Sequence, residues 1–222
     1  MEKLITLLLE FKKVGYNFET IYDIGAHIGN WSDIVQKFAL PSTTFVLFEA
    51  NPAYQNILAK TSHQFFCGQV LSFEGRKTAK FYNGTNTGDS YYKETTRFYD
   101  NQSYIELPCI TLDELVAKNN LPIPNLIKLD TQGSELDILD GASSIIDKVD
   151  FILTELPIVC YNRGAPDIST YLNYFKERKF LPFDIIESHR TENILIQMDI
   201  LFVRSDFKEK FIQPTINIRP WI

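Results

Sequence analysis

A short β-rich run, Thr20-Ile21-Tyr22-Asp23-Ile24, ends directly on Gly25, and beyond Gly29 the residues Asn30-Trp31-Ser32-Asp33-Ile34-Val35-Gln36-Lys37-Phe38 open with capping residues and continue with helical spacing. A strand that turns on glycine into a helix calls for a second strand lying parallel to the first. The unit duly recurs. Thr44-Phe45-Val46-Leu47-Phe48 is followed by Asn51-Pro52, start signals for a helix reaching about Lys60. Phe65-Phe66-Cys67 reads as a third buried strand. Leu126-Ile127-Lys128-Leu129-Asp130 and Phe151-Ile152-Leu153-Thr154-Glu155 read as two more, with a helix from Gly133-Ser134-Glu135 to Gly141 between them. Asp167 caps a helix whose Ile168, Tyr171, Leu172 and Phe175 share one face. Phe183-Asp184-Ile185-Ile186-Glu187 and the run from Gln197 to Val203 are joined only by a polar loop, which predicts antiparallel pairing. The expected fold is α/β and Rossmann-like: a seven-stranded, mostly parallel sheet with an antiparallel edge strand and helices on both faces.

Three segments interrupt or flank this alternation. Leu4, Leu7, Leu8 and Phe11 predict an amphipathic helix within residues 1–15. Residues 72–107 are polar, with interleaved aromatics (Phe81, Tyr82, Tyr91, Tyr92, Phe98, Tyr99, Tyr104), and predict a hairpin-and-loop insertion facing the substrate. Thr111-Leu112-Asp113-Glu114 is a capping box that restarts the regular pattern, and residues 205–222 form an irregular C-terminal extension. A length of 222 residues with 45% hydrophobic content suits one domain. The net charge of −6 supplies no basic field for nucleic acid. Leu4-Ile5-Thr6-Leu7-Leu8-Leu9 is too short to span a bilayer, and Glu10, Lys12 and Lys13 follow it without a cleavage site. Neither signal peptide nor membrane partner is expected. Cys67, Cys109 and Cys160 form no C-x-x-C pair and read as small buried hydrophobes of a reducing, cytoplasmic protein. Self-association into a homo-oligomer is left open.

In an open parallel sheet, ligands bind at the carboxyl ends of the strands, and the first strand-to-helix turn is the usual nucleotide site. Here it reads Asp23-Ile24-Gly25-Ala26-His27-Ile28-Gly29-Asn30. A dinucleotide fingerprint would have glycine where His27 stands, and a carboxylate at Asp23 repels phosphate while attracting cations. Glu49 follows Gly29 by 20 residues, where an acid accepts ribose hydroxyls. A ligand with an amino group, a ribose and no phosphate fits both acids, which describes S-adenosylmethionine. Residues 69–72, including Val70 and Leu71, are placed to read the adenine edge. A nicotinamide-dependent oxidoreductase on a similar sheet and a non-catalytic binding module remain the alternatives. His27, Asp23 and the terminal hairpin argue against the first, and the intact set Asp23, Glu49 and Asp130 against the second.

Asp23-Ile-Gly-Ala-His-Ile-Gly29, Phe48-Glu49-Ala-Asn51-Pro52, Thr111-Leu112-Asp113-Glu114 and Ile127-Lys128-Leu129-Asp130-Thr131-Gln132-Gly133-Ser134-Glu135 together resemble the FkbM-type methyltransferases, a branch of the class I S-adenosylmethionine-dependent enzymes. The likeness extends from about residue 20 to 204. It departs at His27, where the family usually has Asn, and at Ala50, where Pro is commoner. The resemblance implies O-methylation of a hydroxyl on a sugar, glycan or small-molecule metabolite. The expected cofactor contacts are Asp23, Gly25, Ala26, His27, Gly29, Asn30, Trp31, Ser32, Glu49, Ala50, Val70, Leu71 and Asp130. Asp130 and Glu155 are expected at the catalytic centre as base and orienter, with a shared divalent cation left open and no metal-ligand set assigned. His189, in the loop between the last two strands, is a further candidate base. Glu135 reads as a first-turn acid favoured by the helix dipole.

Overall fold

The computed structural model describes residues 1–84, 88–96 and 103–208. Strands β1 (Thr20–Ile24) and β7 (Leu126–Leu129) are buried at every position, the mark of central strands in a sheet covered on both faces. β2 (Thr44–Glu49) and β3 (Gln64–Cys67) lie outside β1. β8 (Phe151–Pro157), β10 (Ile194–Arg204) and β9 (Phe180–Thr191) lie outside β7, giving the order β3-β2-β1-β7-β8-β10-β9. The first five are parallel neighbours, while β10 runs antiparallel to both β8 and β9. This is the expected seven-stranded sheet with its antiparallel edge hairpin. Strand order reverses between β1 and β7, which opens a crevice at their carboxyl ends.

Alternation along the strands supplies two cores. On one face Ile21, Phe45, Phe151 and Leu201 pack with Leu4, Leu8 and Phe11 of α1 (Glu2–Lys13) and Val35 of α2 (Asn30–Phe38). On the other, Tyr22, Ile127, Ile152 and Phe202 pack with α4 (Leu112–Asn119), α5 (Glu135–Asp140) and α6 (Ile168–Glu177). The Thr111–Glu114 capping box forms as expected, and Asp167 caps α6 by accepting from Thr170 N–H.

Residues 72–107 do contain a hairpin, β5 (Thr78–Asn83) with β6 (Ser103–Ile110). The two-residue β4 (Val70–Leu71) pairs parallel with β6, so Val70 and Leu71 belong to a separate three-stranded sheet, ordered β4-β6-β5, rather than to the end of β3. Phe98 and Tyr99 lie outside the described residues. Other expectations are corrected. Pro52–Tyr54 is a 3-10 turn leading into a single α-turn, α3 (Gln55–Leu58), and α2 is preceded by Gly29 with no side-chain cap. Leu172 is exposed although Tyr171 and Phe175 of the same helix are buried, and Cys160 is exposed too. The polar run after Glu187 is no loop: it continues β9 to Thr191, with a turn only at Glu192 and Asn193. Beyond β10, Phe207 packs its ring against Tyr16 and Phe151, and the rest of the extension from residue 209 lies outside the described residues. No helix among the described residues is long and apolar enough to cross a membrane.

The α6 core depends on Phe175, which is fully buried and stacked on Phe202 with ring centroids 4.1 Å apart. Phe175→Ala is expected to destabilise the fold by about 3–5 kcal/mol in urea titrations, whereas Leu172→Ala should change stability by under about 1 kcal/mol.

Candidate functional site

The crevice between β1 and β7 is floored by a backbone contact that only glycine permits. Gly25 has φ +76°, and a Cβ there would collide with the carbonyl of Asp130. Its N–H donates to Phe48 O at 2.9 Å while Asp130 N–H donates to Ile24 O at 3.0 Å, so the ends of β1, β2 and β7 are drawn together. His27 follows with φ +53°, a left-handed conformation in which Asn and His are enriched, which accounts for either residue at this position. That turn aims His27 N–H at Glu49 Oε2, 2.7 Å away, and Glu49 Oε1 accepts from Asn51 N–H at 2.7 Å.

A cavity of about 240 Å³ opens above this floor. Of the residues expected to contact a cofactor, Gly25, Ala26, His27, Asn30, Trp31, Glu49, Ala50, Val70, Leu71 and Asp130 line it. The lining combines the apolar Ala50, Val70, Leu71, Phe81 and Ile138 with the polar Lys128, Asp130, Thr131 and Ser134. The insertion closes one side. Asp89 accepts from Asn51 Nδ2 at 2.7 Å and from Gly84 N–H at 2.8 Å, and Ser90 Oγ donates to Gln132 O at 3.0 Å, which pins the segment over the cavity. Tyr91 OH, donating to Asp137 at 2.6 Å, anchors it to α5.

Asp23, Ser32 and Gly29 stand behind the wall instead. Asp23 is completely buried, accepts from Ser32 Oγ at 2.7 Å and lies 3.1 Å from Lys128 Nζ. The cation that Asp23 attracts is therefore the chain's own, which corrects the expectation that its carboxylate faces a ligand amine. Gly29 packs under Leu47 and Leu58. Lys128, which the sequence reading left unassigned, also lies 3.4 Å from Asp130 and donates to Gly25 O at 3.2 Å. Burial pulls its ammonium towards the neutral form, but Asp23 and Asp130 outweigh burial and hold its pKa above the ordinary lysine value. The signal for Lys128 was a cation inside an otherwise apolar strand, two residues before a strand-end acid.

The two further candidate catalytic groups are displaced from the cavity. Glu155 lines a separate small pocket with Tyr161 and Asn162, where Gln132 Nε2 donates to it at 3.2 Å and to Asp130 at 3.3 Å, and Gln197 Nε2 closes its other side. Burial, reinforced by Asp130, Glu135 and Asp199, pushes its carboxyl well above the usual carboxylate range. Asp130 and Glu155 are thus bridged by an amide. His189 lies in β9, paired with Gln197 and 3.7 Å from Asp199, away from the cavity wall, so no loop carries it over the site. Glu135 is more than a dipole partner: fully buried, it accepts from Thr131 and Gly133 N–H and from Tyr171 OH, tying the β7–α5 loop to α6. His63 is buried, with its Nε2 2.8 Å from Asp33 Oδ1.

A family model described as the methyltransferase FkbM domain matches residues 23–205. The chain belongs to the FkbM methyltransferase domain family. Over 161 residues it is 25% identical to the hexuronic acid methyltransferase AglP of Haloferax volcanii, a match covering 70% of this chain and 62% of that protein. The chain therefore spans less than two thirds of that relative's length. Magnesium protoporphyrin IX methyltransferase of Synechocystis, solved with bound S-adenosylmethionine, shares the fold with TM-score 0.50 at 10% identity, covering 92% of this chain and 77% of that one. An O-methyltransferase of Bacillus cereus in complex with S-adenosylhomocysteine does so with TM-score 0.50 at 10% identity, covering 89% and 79%. These two establish a class I methyltransferase fold.

Glu49 gives the FkbM site a pH signature. Burial pushes its carboxyl from 4.5 up to about 7, against the opposing pull of the Asn51 and His27 N–H groups. Its folded-state pKa is raised, so folding binds a proton between those values and its contribution to stability is lost as pH rises from 4.5 to about 7. Relative to Glu49→Gln, the wild type should lose stability between pH 5 and pH 8, a slope that chemical denaturation of both proteins at about six pH values would reveal.

Proposed function

We propose that this chain transfers the methyl group of S-adenosylmethionine to a hydroxyl of a sugar, glycan or related small metabolite, with the cofactor held in the 240 Å³ cavity at the carboxyl ends of β1, β2 and β7. The observation that carries this reading is the cavity's lining. The donor set fits the cofactor: a close backbone turn at Gly25 and His27, a buried carboxylate at Glu49, an apolar slot from Ala50 to Ile138, and a carboxylate at Asp130. The cofactor supplies a methyl group activated on a sulfonium. Glu49, already fixed by two N–H donors, keeps lone pairs on both oxygens for a ribose diol. Ala50, Val70, Leu71, Phe81 and Ile138 form the walls for a flat base.

Asp130 lines the same cavity, its carboxylate nearly half exposed and therefore reachable by an acceptor. With the cofactor bound, Asp130 would take up the proton of the acceptor hydroxyl. Lys128 and the Gln132 amide hold that carboxylate at its two oxygens, so its direction is set before an acceptor arrives. Glu155 acts through Gln132 as the orienter. The hexuronic acid named for the Haloferax relative supports a sugar as the acceptor class.

Isothermal titration with S-adenosylhomocysteine, NAD and NADP, followed by a methyl-release assay on a panel of neutral sugars, uronic acids and sugar nucleotides, tests the proposal. Micromolar binding of S-adenosylhomocysteine alone is expected. Binding of a nicotinamide cofactor in its place would refute the reading, and cofactor binding without transfer to any acceptor would favour a binding module. Glu49→Ala should weaken S-adenosylhomocysteine binding about tenfold. Asp130→Asn should leave that affinity within about twofold while lowering turnover about a hundredfold.

A further inference from the structure

The cavity wall carries three carboxyl groups, Glu49, Asp89 and Asp130, and among the described lining residues Lys128 brings the only ammonium. That ammonium is fixed: it lies 3.1 Å from Asp23 and 3.4 Å from Asp130, donates to Gly25 O at 3.2 Å, and stands 5.8 Å from the centre of the Trp31 ring. Asp23 and Asp130 hold this ammonium as ion-pair partners, while its hydrogen bond goes to the Gly25 carbonyl. What it offers the cavity is charge. Lys128 lines the cavity while Asp23 does not, so the positive member of the buried pair faces the ligand and the negative member faces the core.

This ordering matters for a reaction that discharges a cation. A wall bearing uncompensated carboxylates would stabilise a sulfonium most while its charge is whole, and less as the charge disperses towards the transition state, which lowers the ground state and raises the barrier. An ammonium set against Asp130 opposes that effect. We infer that Lys128 sets the charge of the methyl-side wall and thereby fixes how strongly the cavity prefers a cationic ligand over a neutral one of the same shape. The inference rests on the reading of this cavity as the S-adenosylmethionine site. It makes Lys128 a specificity-determining residue, distinct from the groups that grip the nucleoside.

The test compares three probes by titration calorimetry: S-adenosylmethionine, a sulfonium; sinefungin, with an amine at the transferable methyl's position; and S-adenosylhomocysteine, a neutral thioether. Lys128→Met alone would strand the buried Asp23 carboxylate and threaten folding. The informative variant is therefore the double substitution Asp23→Asn with Lys128→Met, which removes both buried charges and leaves Asp130 without its cation. It should raise the preference for the two cations over S-adenosylhomocysteine about fivefold. Lys128→Arg should keep the wild-type preference within about twofold, and adding Asp130→Asn to the double variant should abolish the gain. If the double variant binds S-adenosylhomocysteine and its preference is unchanged, Lys128 is a structural ion-pair partner only and the inference is overturned. Failure of the wild type to bind any of the three probes would instead overturn the cofactor reading itself, a result seen before any variant is made.

Discussion

A completely buried carboxylate has to find its counter-charge inside the fold, and the organisation of this site follows from how Asp23 does so. Its partner is Lys128 on the neighbouring strand, with Ser32 of α2 donating to the second oxygen. Removing one member of such a pair costs far more than the pair contributes, so the two residues constrain each other strongly. Through the same ammonium the pair reaches Asp130 and the Gly25 carbonyl. One ion pair thus joins the ends of β1 and β7, the start of α2 and the floor of the cavity. Close approach at Gly25, where no Cβ fits beneath the Asp130 carbonyl, is the steric counterpart of that electrostatic tie.

Around this centre the remaining parts divide by role. The strands bring side chains to the crevice at fixed spacing, and backbone N–H groups from the His27 turn and from Asn51 converge on Glu49. The small β4-β6-β5 sheet adds the apolar wall that the main sheet lacks, and Asp89 and Ser90 fasten the insertion to Asn51 and to the Gln132 carbonyl. Behind the wall a polar network of Gln132, Glu155, Gln197 and Tyr161 sets the direction of the Asp130 carboxylate. A rigid cleft of this kind suits a displacement reaction, whose barrier depends chiefly on alignment.

Much of the fold was legible because strands and helices announce themselves by local periodicity, as in the run from Thr20 to Phe38, and because caps such as Thr111 and Asp167 act within three or four residues. The cavity-lining members of the turn, together with Glu49 and Asp130, could be placed for the same reason: each sits where a strand ends. What escaped was long-range. Asp23 read as a ligand contact because its true partner is 105 residues away in the chain, and no spacing rule joins Asp23 to Lys128. Glu155 was placed at the centre because strand-end acids look alike in sequence, whereas β8 runs on to Pro157 and leaves it beside Gln132 and Gln197. His189 was read as a loop residue because β9 is an edge strand, exposed enough to tolerate a polar run, and its turn uses Glu192 at φ +54° where a glycine would have marked it. The two-residue β4 carries no periodic signal, so of the second sheet only the β5–β6 hairpin could be foreseen.

The central claim is that the crevice above Gly25 holds S-adenosylmethionine, and amide hydrogen exchange with and without S-adenosylhomocysteine tests it most directly. The account predicts slowed exchange, on adding the ligand, in residues 25–31, 49–51, 69–71 and 88–91, with the β9–β10 hairpin unchanged. Protection confined to that hairpin, or none in the first three segments at saturating ligand, would contradict it.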